Sequence, residues 1–290
     1  MLLNATARAK INLTLHVLGR RADGMHELES LVAFADLADQ LTLDTDQPLG
    51  LTVSGPTAQT AGAVSDNLVL KSVEALRRLV PNLRVGAFDL SKHLPVAAGI
   101  GGGSADAAAA LRLLAEANGL RFDDARVIEA ARAVGADVPV CLESVPRMMR
   151  GSGERLGPAL PVPPMHAVLI NPGVPVATVD VFRELGLRPG EDSSAARHME
   201  IAASIDTGTL VAAIAAARND LQTPAIRCAP AIAEVLELLA QQHRCQLARM
   251  SGSGATCFGL FPTMSSAFQA VRAIRRLRGQ WWVQPAVIGG

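Results

Sequence analysis

The sequence predicts an α+β protein in two parts, and three observations carry that prediction. Short stretches of apolar–polar alternation dominate the chain up to Ser54. Between Ser65 and Val134, apolar residues instead recur every three or four positions among strong helix formers. Six prolines (158, 161, 163, 164, 172 and 175) then break the composition, and a mixed strand–helix pattern follows them. The break predicts a division into residues 1–155 and 156–290.

Each element has a local reason. Ile11, Leu13, Leu15 and Val17 point one way while Lys10, Asn12, Thr14 and His16 point the other, the period of a strand with one buried face. Arg20 to Gly24 reads as a turn before a second strand, Glu27 to Leu37. Asp39–Asp44 and Gly50–Ser54 read as further short strands. Ser65 or Asp66 is placed to cap a helix whose stripe is Val69, Val73, Leu76 and Val80. Ala87–Ser91 is a strand leading into a glycine-rich loop, and Ala105–Asn118 is a helix stopped by Gly119. Asp123 or Asp124 opens another helix, with Val127, Ile128, Ala131 and Val134 on one face and Gly135 as its end. Beyond the prolines, Ala167–Ile170 and Cys257–Phe261 read as strands and Leu210–Arg218 and Ile232–Gln242 as helices. Phe268–Arg278 reads as a basic-faced helix and Trp281–Ile288 as a closing strand.

Composition excludes several functions. Lysine plus arginine equals aspartate plus glutamate, 27 against 27, so no global field favours nucleic acid or an anionic membrane. Nine aromatics in 290 residues do not make a base-stacking surface, and the arginines at 272, 275, 276 and 278 read as a solvated face. The N-terminus turns polar too early for a signal peptide, and no apolar run reaches about 18 residues. A cytoplasmic protein with no membrane or nucleic-acid partner is expected. Cys141, Cys228, Cys245 and Cys257 lie too far apart for a metal motif or a disulfide framework.

The most informative stretch runs from Leu94 to Asp106, with glycines at 99, 101, 102 and 103. A tight turn needs one or two glycines; four immediately before a strong helix fit backbone N–H groups closing around a phosphate. Ser104 adds a hydroxyl suited to a phosphate oxygen or a metal ion. The stretch is not GxxxxGK[ST], since no lysine follows, and not GxGxxG, since serine stands at 104. Positive charge must then come from elsewhere, and lysine occurs only at 10, 71 and 92. Lys10 on the first strand and Lys92 just before the loop are the candidates. Asp137, in Gly135-Ala-Asp137-Val-Pro-Val140 between a helix stop and a short apolar strand, is a candidate general base.

Four motifs then stand in order: Ala9-Lys10-Ile-Asn12-Leu, Pro95 through Ala108, Gly135-Ala-Asp137-Val-Pro, and Ser251-Gly-Ser-Gly-Ala-Thr256. Together they resemble the GHMP small-molecule kinase superfamily across nearly the whole chain. A narrower set, Arg21-Ala-Asp-Gly24-Met-His26, Asn171-Pro-Gly173 and Asn219-Asp220-Leu, resembles the branch whose substrate carries cytidine diphosphate. The resemblance implies a two-domain kinase fold, an N-terminal ATP-binding domain and a smaller C-terminal one, with ATP and Mg²⁺ as cofactors. It implies Lys10 and Asp137 as the catalytic pair, and a loop of Pro95, Val96, Ala97, Ala98, Gly99, Ile100, Gly101, Gly102, Gly103, Ser104 and Ala105 around the ATP phosphates. Asn67 and Lys92 fall at the adenosine end. His26 falls at the cytosine edge, Asn12 and Thr178 along the substrate, and Phe182 on the cytosine ring. Met25 stands where the family often has a tyrosine on the ring's other face; a thioether still packs there. A homoserine, mevalonate or sugar kinase of the same superfamily is the alternative, and would lack the narrower set.

Overall fold

The computed structural model describes residues 1–60, 62–193 and 205–289. Its strands and helices alternate irregularly, as an α+β chain requires. The first half contains β1 (Leu2–Asn12), β2 (His16–Arg20), β3 (His26–Asp44), β4 (Gly50–Ser54), α1 (Leu68–Arg77), β5 (Ala87–Ser91), α2 (Gly102–Ala117), α3 (Ala125–Val134) and α4 (Val138–Glu143). The second half contains β6 (Arg147–Gly151), β7 (Arg155–Ala159), β8 (Met165–Asn171), α5 (Thr178–Leu185), β9 (Glu191–Asp192), α6 (Thr207–Ala216) and α7 (Gln222–Cys228). It closes with α8 (Ala231–Ala240), β10 (Leu247–Met250), β11 (Cys257–Phe261), α9 (Met264–Leu277) and β12 (Trp282–Ile288).

Two compact units form, each from separate stretches. The first takes Met1–Lys10, Leu37–Val96 and Gly101–Ser144; the second takes Ile11–Asp36, Ala97–Ile100 and Val145–Gly290. These units differ from a sequential division at 155/156, because β1 and β3 each pass from one unit into the other.

In the first unit, the end of β3 pairs antiparallel with β5, and β5 pairs parallel with β4. Helix α2 packs against α1, α3 and α4. Its residues from Ala105 to Leu111 are all buried, because alanine on every side lets neighbouring helices approach closely. In the second unit, β10, β11, β8 and β12 form an antiparallel series, and β12 meets β3 at Ile288↔Ala35. Val168, Ile170, Phe261, Val271 and Ile274 are among the side chains of its core.

Several elements differ from the sequence reading. The alternation through Ile11–Val17 is interrupted: β1 ends at Asn12 and β2 starts at His16. Glu27–Leu37 and Asp39–Asp44 are one strand of 19 residues. Asn67, not Ser65 or Asp66, caps α1, its side chain accepting from the Val69 N–H at 3.0 Å. The expected strand after Asp137 is the helix α4, since Pro139 sits in its first turn, where proline's fixed φ and missing N–H cost nothing. Helices α5 and α7 were not legible from the sequence. Arg272, Arg275 and Arg276 of α9 are exposed, as expected, although Arg275 also donates to the Val283 carbonyl; Arg278, just past the helix, is half-buried, pairs with Glu234 and lies over Trp281 at 5.7 Å. All four cysteines are free thiols, with Cys141 and Cys257 buried and Cys228 exposed.

Candidate active site

In the first unit, the site is built around the start of α2. The helix begins on Gly101, whose φ of 62° is left-handed, with no side chain capping it and no acidic residue in its first turn. The N–H groups of that turn have no intrahelical acceptor, and the positive end of the helix dipole is uncompensated. The glycines divide into two classes. A Cβ at Gly99 (φ +74°) would meet the Ser251 carbonyl at 2.5 Å, and one at Gly101 would press the Lys10 Cβ at 3.2 Å. Both are glycine because the chain itself demands it. At Gly102 the nearest atoms would lie at 3.6 Å or beyond, and at Gly103 a single atom at 3.5 Å. The protein leaves room for a side chain at those two positions, so their bareness points to something arriving from outside. A phosphate fits this cradle: it takes up N–H groups and needs the space a methyl would fill.

Lys10, beside Gly101, donates to the Asp137 carboxylate at 2.7 Å; the lysine side chain is 5% exposed and the aspartate 38%. Asp137 occupies the N-cap position of α4 yet makes no capping hydrogen bond. Its carboxylate is therefore committed to Lys10 and otherwise open to solvent. Lys92 is placed differently from Lys10. Its ammonium is buried between Asp39 (2.5 Å) and Asp106 (2.7 Å). Burial works against the charged Lys92, but the two carboxylates outweigh it and its pKa is raised. Burial also drives the Asp106 carboxyl upward, against the pull of Lys92. Ala105 is buried, Gly103 exposed and Ser104 half-buried at the helix start; Pro95 and Val96, which lead into the loop, are half-buried and exposed.

In the second unit, Asn12 donates its side-chain amide to Ser30 at 2.7 Å and its backbone N–H to Ser251 at 3.0 Å. Its Oδ1 is buried without a partner. The loop segment Ala97–Ile100 is held by the fourth motif: Ser251 donates to the Gly99 carbonyl (2.9 Å) and the Thr256 N–H to the Ala98 carbonyl (3.0 Å). Ala98 and Ile100 are buried, and Ala97 is exposed. Asn171 donates to Thr256 and Asn219 to the carbonyls of Met250 and Gly252. Those two motifs thus brace the 251–256 loop.

A cavity of about 660 Å³ lies among Arg20, Met25, His26, Thr178, Val179 and Phe182. The His26 and Phe182 rings stack with centroids 4.3 Å apart and planes 25° off parallel, leaving no room for a third ring between them. Burial first, and the Arg20 charge second, lower the His26 pKa, which favours the neutral imidazole. Its Nε2 is buried without a partner. Met25 is 47% exposed. Thr178 bonds Ser253 at 2.8 Å. Arg20 ties the walls together, donating to the carbonyls of Gly24 and Leu187. Sequence reading singled out neither Arg20, Ser30, Asp39 nor Asp106; each matters through partners distant in the chain, which no local pattern reveals.

Residues 67–144 match the family model for the GHMP kinases N-terminal domain, and residues 201–278 that for the GHMP kinases C-terminal domain. The chain belongs to the GHMP kinase family. It is therefore a small-molecule kinase, and kinases of this family use ATP. A 4-diphosphocytidyl-2-C-methyl-D-erythritol kinase from Methylobacterium radiotolerans is 59% identical over 288 residues, covering 99% of each chain. One from Rhodopseudomonas palustris is 56% identical over 288 residues, covering 98% of this chain and 96% of its own. A solved 4-(cytidine 5'-diphospho)-2C-methyl-D-erythritol kinase shares 32% identity at a TM-score of 0.75, covering 99% of this chain and 100% of its own. A homoserine kinase from Cytophaga hutchinsonii, 16% identical at a TM-score of 0.70, covers 99% of this chain and 94% of its own and shares the GHMP kinase fold alone. Among the described residues no helix is long and apolar enough to cross a membrane.

Proposed function

We propose that this GHMP kinase transfers the γ-phosphoryl group of ATP to the 2-hydroxyl of 4-diphosphocytidyl-2-C-methyl-D-erythritol, in non-mevalonate isoprenoid biosynthesis in the cytoplasm. Full-length relatives at more than half identity carry that substrate in their names. The observation that carries the chemistry is the Lys10–Asp137 pair at 2.7 Å, with Lys10 alongside the uncapped start of α2.

Asp137 takes the proton of the attacking hydroxyl, an effect worth on the order of 10²–10⁴-fold. Lys10 holds that carboxylate in place and offsets the negative charge growing on the oxygen. The oxygen bonds to the γ-phosphorus as the bridge to the β-phosphate breaks, and ADP leaves with the bridging electrons. The N–H groups of Gly102, Gly103 and Ser104 hold the phosphate oxygens, the rest of Pro95–Ala105 shapes the loop around them, and Asn67 lies toward the adenosine end. Mg²⁺ carried with ATP would neutralise charge on the phosphate oxygens; it would need few protein ligands, and Ser104 is suited to be one. Among the described residues no group of three His, Cys, Asp or Glu side chains gathers for a metal, which fits an ion held mainly by phosphate and water.

Cytosine recognition falls to His26, whose unpartnered Nε2 is suited to the base edge, and to Phe182 and Met25. His26 already covers one face of Phe182, so a cytosine stacking on Phe182 needs its other face or a shift of the His26 ring. Thr178 and Asn12 line the remainder of the substrate, the unpartnered Oδ1 of Asn12 accepting a hydroxyl. A sequential division into 1–155 and 156–290 is part of the same proposal, supported by family matches falling on either side of it. The test is ADP release with the cytidyl substrate, run beside homoserine and mevalonate. Turnover with the first alone is expected. Turnover with homoserine or mevalonate instead would overturn the substrate assignment.

A further inference from the structure

Asp39 is fully buried, and its carboxylate accepts from three consecutive residues. One oxygen accepts the backbone N–H groups of His93 (2.5 Å) and Leu94 (2.9 Å); the other accepts the Lys92 ammonium (2.5 Å). These are the residues that enter the glycine loop. The same ammonium donates at 2.7 Å to Asp106, in the second turn of α2, where the loop has ended. The two stems of the stretch 95–105 are therefore joined through one nitrogen.

The electrostatics do not suit Lys92 to the role the family resemblance gives it. Its side chain is 4% exposed, and two carboxylates surround one ammonium. Such a cluster presents no net positive charge to a polyphosphate. Its position relative to α2 is close: the ammonium lies 3.7 Å from where a Gly102 Cβ would stand. The backbone of Lys92 is fixed as well, its N–H donating to the Ser54 carbonyl at 2.7 Å and its carbonyl accepting from Thr57 at 3.2 Å.

We propose that Asp39, Lys92 and Asp106 are positioning residues that clamp the stems of the glycine loop and fix the first turn of α2, so that Lys92 acts on nucleotide binding without touching the nucleotide. This rests on the reading of the α2 start as the ATP-phosphate site. Charge-assisted bonds with little exposure are the strong kind, and losing one partner leaves the others unpaired in the interior.

The clamp and the direct contact predict opposite signs for one substitution. Asp39→Asn removes a negative charge near a polyanion site, so simple electrostatics tightens binding, whereas loosening the clamp weakens it. The probe is a nonhydrolysable ATP analogue with Mg²⁺, titrated by calorimetry into wild type, Asp39→Asn, Lys92→Met and the double variant. The clamp predicts that each single variant loses at least about tenfold in affinity. The double variant should be no weaker than the worse single one, because both changes break one unit. KM for the cytidyl substrate should stay within about twofold while KM for ATP rises. Asp39→Asn binding as tightly as wild type or tighter, with Lys92→Met alone impaired, would overturn the clamp and make Lys92 a direct contact. If Asp39→Asn does not fold, Asp106→Asn against Asp106→Leu reads the clamp from its other end. Affinity lost by leucine supports it; wild-type affinity in the leucine variant overturns it. Failure of the wild-type protein to bind the analogue overturns the nucleotide reading itself, and the clamp's purpose with it.

Discussion

Replacing Gly102 by alanine separates what the fold needs from what the ligand needs. The added methyl would find Leu94 at 3.6 Å and the Lys92 ammonium at 3.7 Å, ordinary van der Waals contacts, and Gly102 lies in the first turn of α2 without a positive φ. Alanine is better than glycine in a helix interior by about 1 kcal/mol, and by less in a first turn. The free protein should therefore hold its Tm or gain up to roughly 2–4 °C. If the α2 start holds the ATP phosphates as proposed, the same methyl stands where phosphate oxygens approach the N–H groups. A tenfold loss of affinity, about 1.4 kcal/mol, is the least that such an intrusion implies. Thermal unfolding with and without the Mg²⁺-bound ATP analogue reads both effects at once. With ligand at 100 times the wild-type Kd, wild type gains about 2.7 kcal/mol and a variant ten times weaker only about 1.4 kcal/mol. Gly99→Ala is the contrasting control: at φ +74° and 2.5 Å from the Ser251 carbonyl, it should lower the Tm of the free protein. If Gly102→Ala kept the full ligand-induced gain, the bare space above α2 would not be the phosphate's, and the division of the glycines would be wrong.

Asp137→Asn should keep analogue affinity within a few-fold and lose phosphoryl transfer by at least about 10²-fold, measured as single-turnover ADP formation; near-normal turnover would remove the general-base role. His26→Ala should raise KM for the cytidyl substrate well above any rise in KM for ATP, and equal rises would reassign the residue. The lowered His26 pKa also fixes a pH dependence. The folded protein binds fewer protons there than the unfolded chain, so this contribution to stability is complete above the ordinary histidine value of 6.5 and is lost as pH falls below it through the lowered value. Substrate KM should follow the same acid limb. Arg20→Met removes one of the two causes, so the His26 midpoint read by NMR should move up toward 6.5, and an unmoved midpoint would leave burial as the only cause.

Alternation on the first strand did put Lys10 and Asn12 on one face, and both are buried at 4% exposure. The break after Asn12 was illegible because Leu13 and Leu15 stay buried through it, so the hydrophobic rhythm continues where the strand does not. Asp39 misled in the opposite direction. In the sequence it reads as the start of a separate strand after Leu37, yet β3 passes straight through it because Lys92, His93 and Leu94 satisfy both oxygens. The strand expected after Asp137 failed because apolar alternation over three residues is weaker than proline's preference for a first helical turn. The glycine loop was legible as a phosphate candidate, but which of its glycines serve the chain and which the ligand depends on Ser251 and Lys10, distant in sequence.

The candidate site carries no surplus of lysine charge, and that limits how a polyphosphate would be held there. Lys10 is paired with Asp137, and Lys92 with Asp39 and Asp106, so two ammonium groups face three carboxylates near the α2 start. Free lysine charge cannot be the attraction. What remains is the uncapped first turn of α2, with its N–H groups and dipole, together with whatever cation travels with the nucleotide. Such a site discriminates by shape more than by charge: N–H groups on a rigid turn reward a phosphate only where its oxygens meet them, whereas a loose ammonium would attract any anion. That places the demand on the position of the turn, to within fractions of an ångström. A fully buried carboxylate at Asp39, costly unless every lone pair is engaged, is explained by that demand better than by stability, since ion pairs in an interior rarely outperform apolar packing.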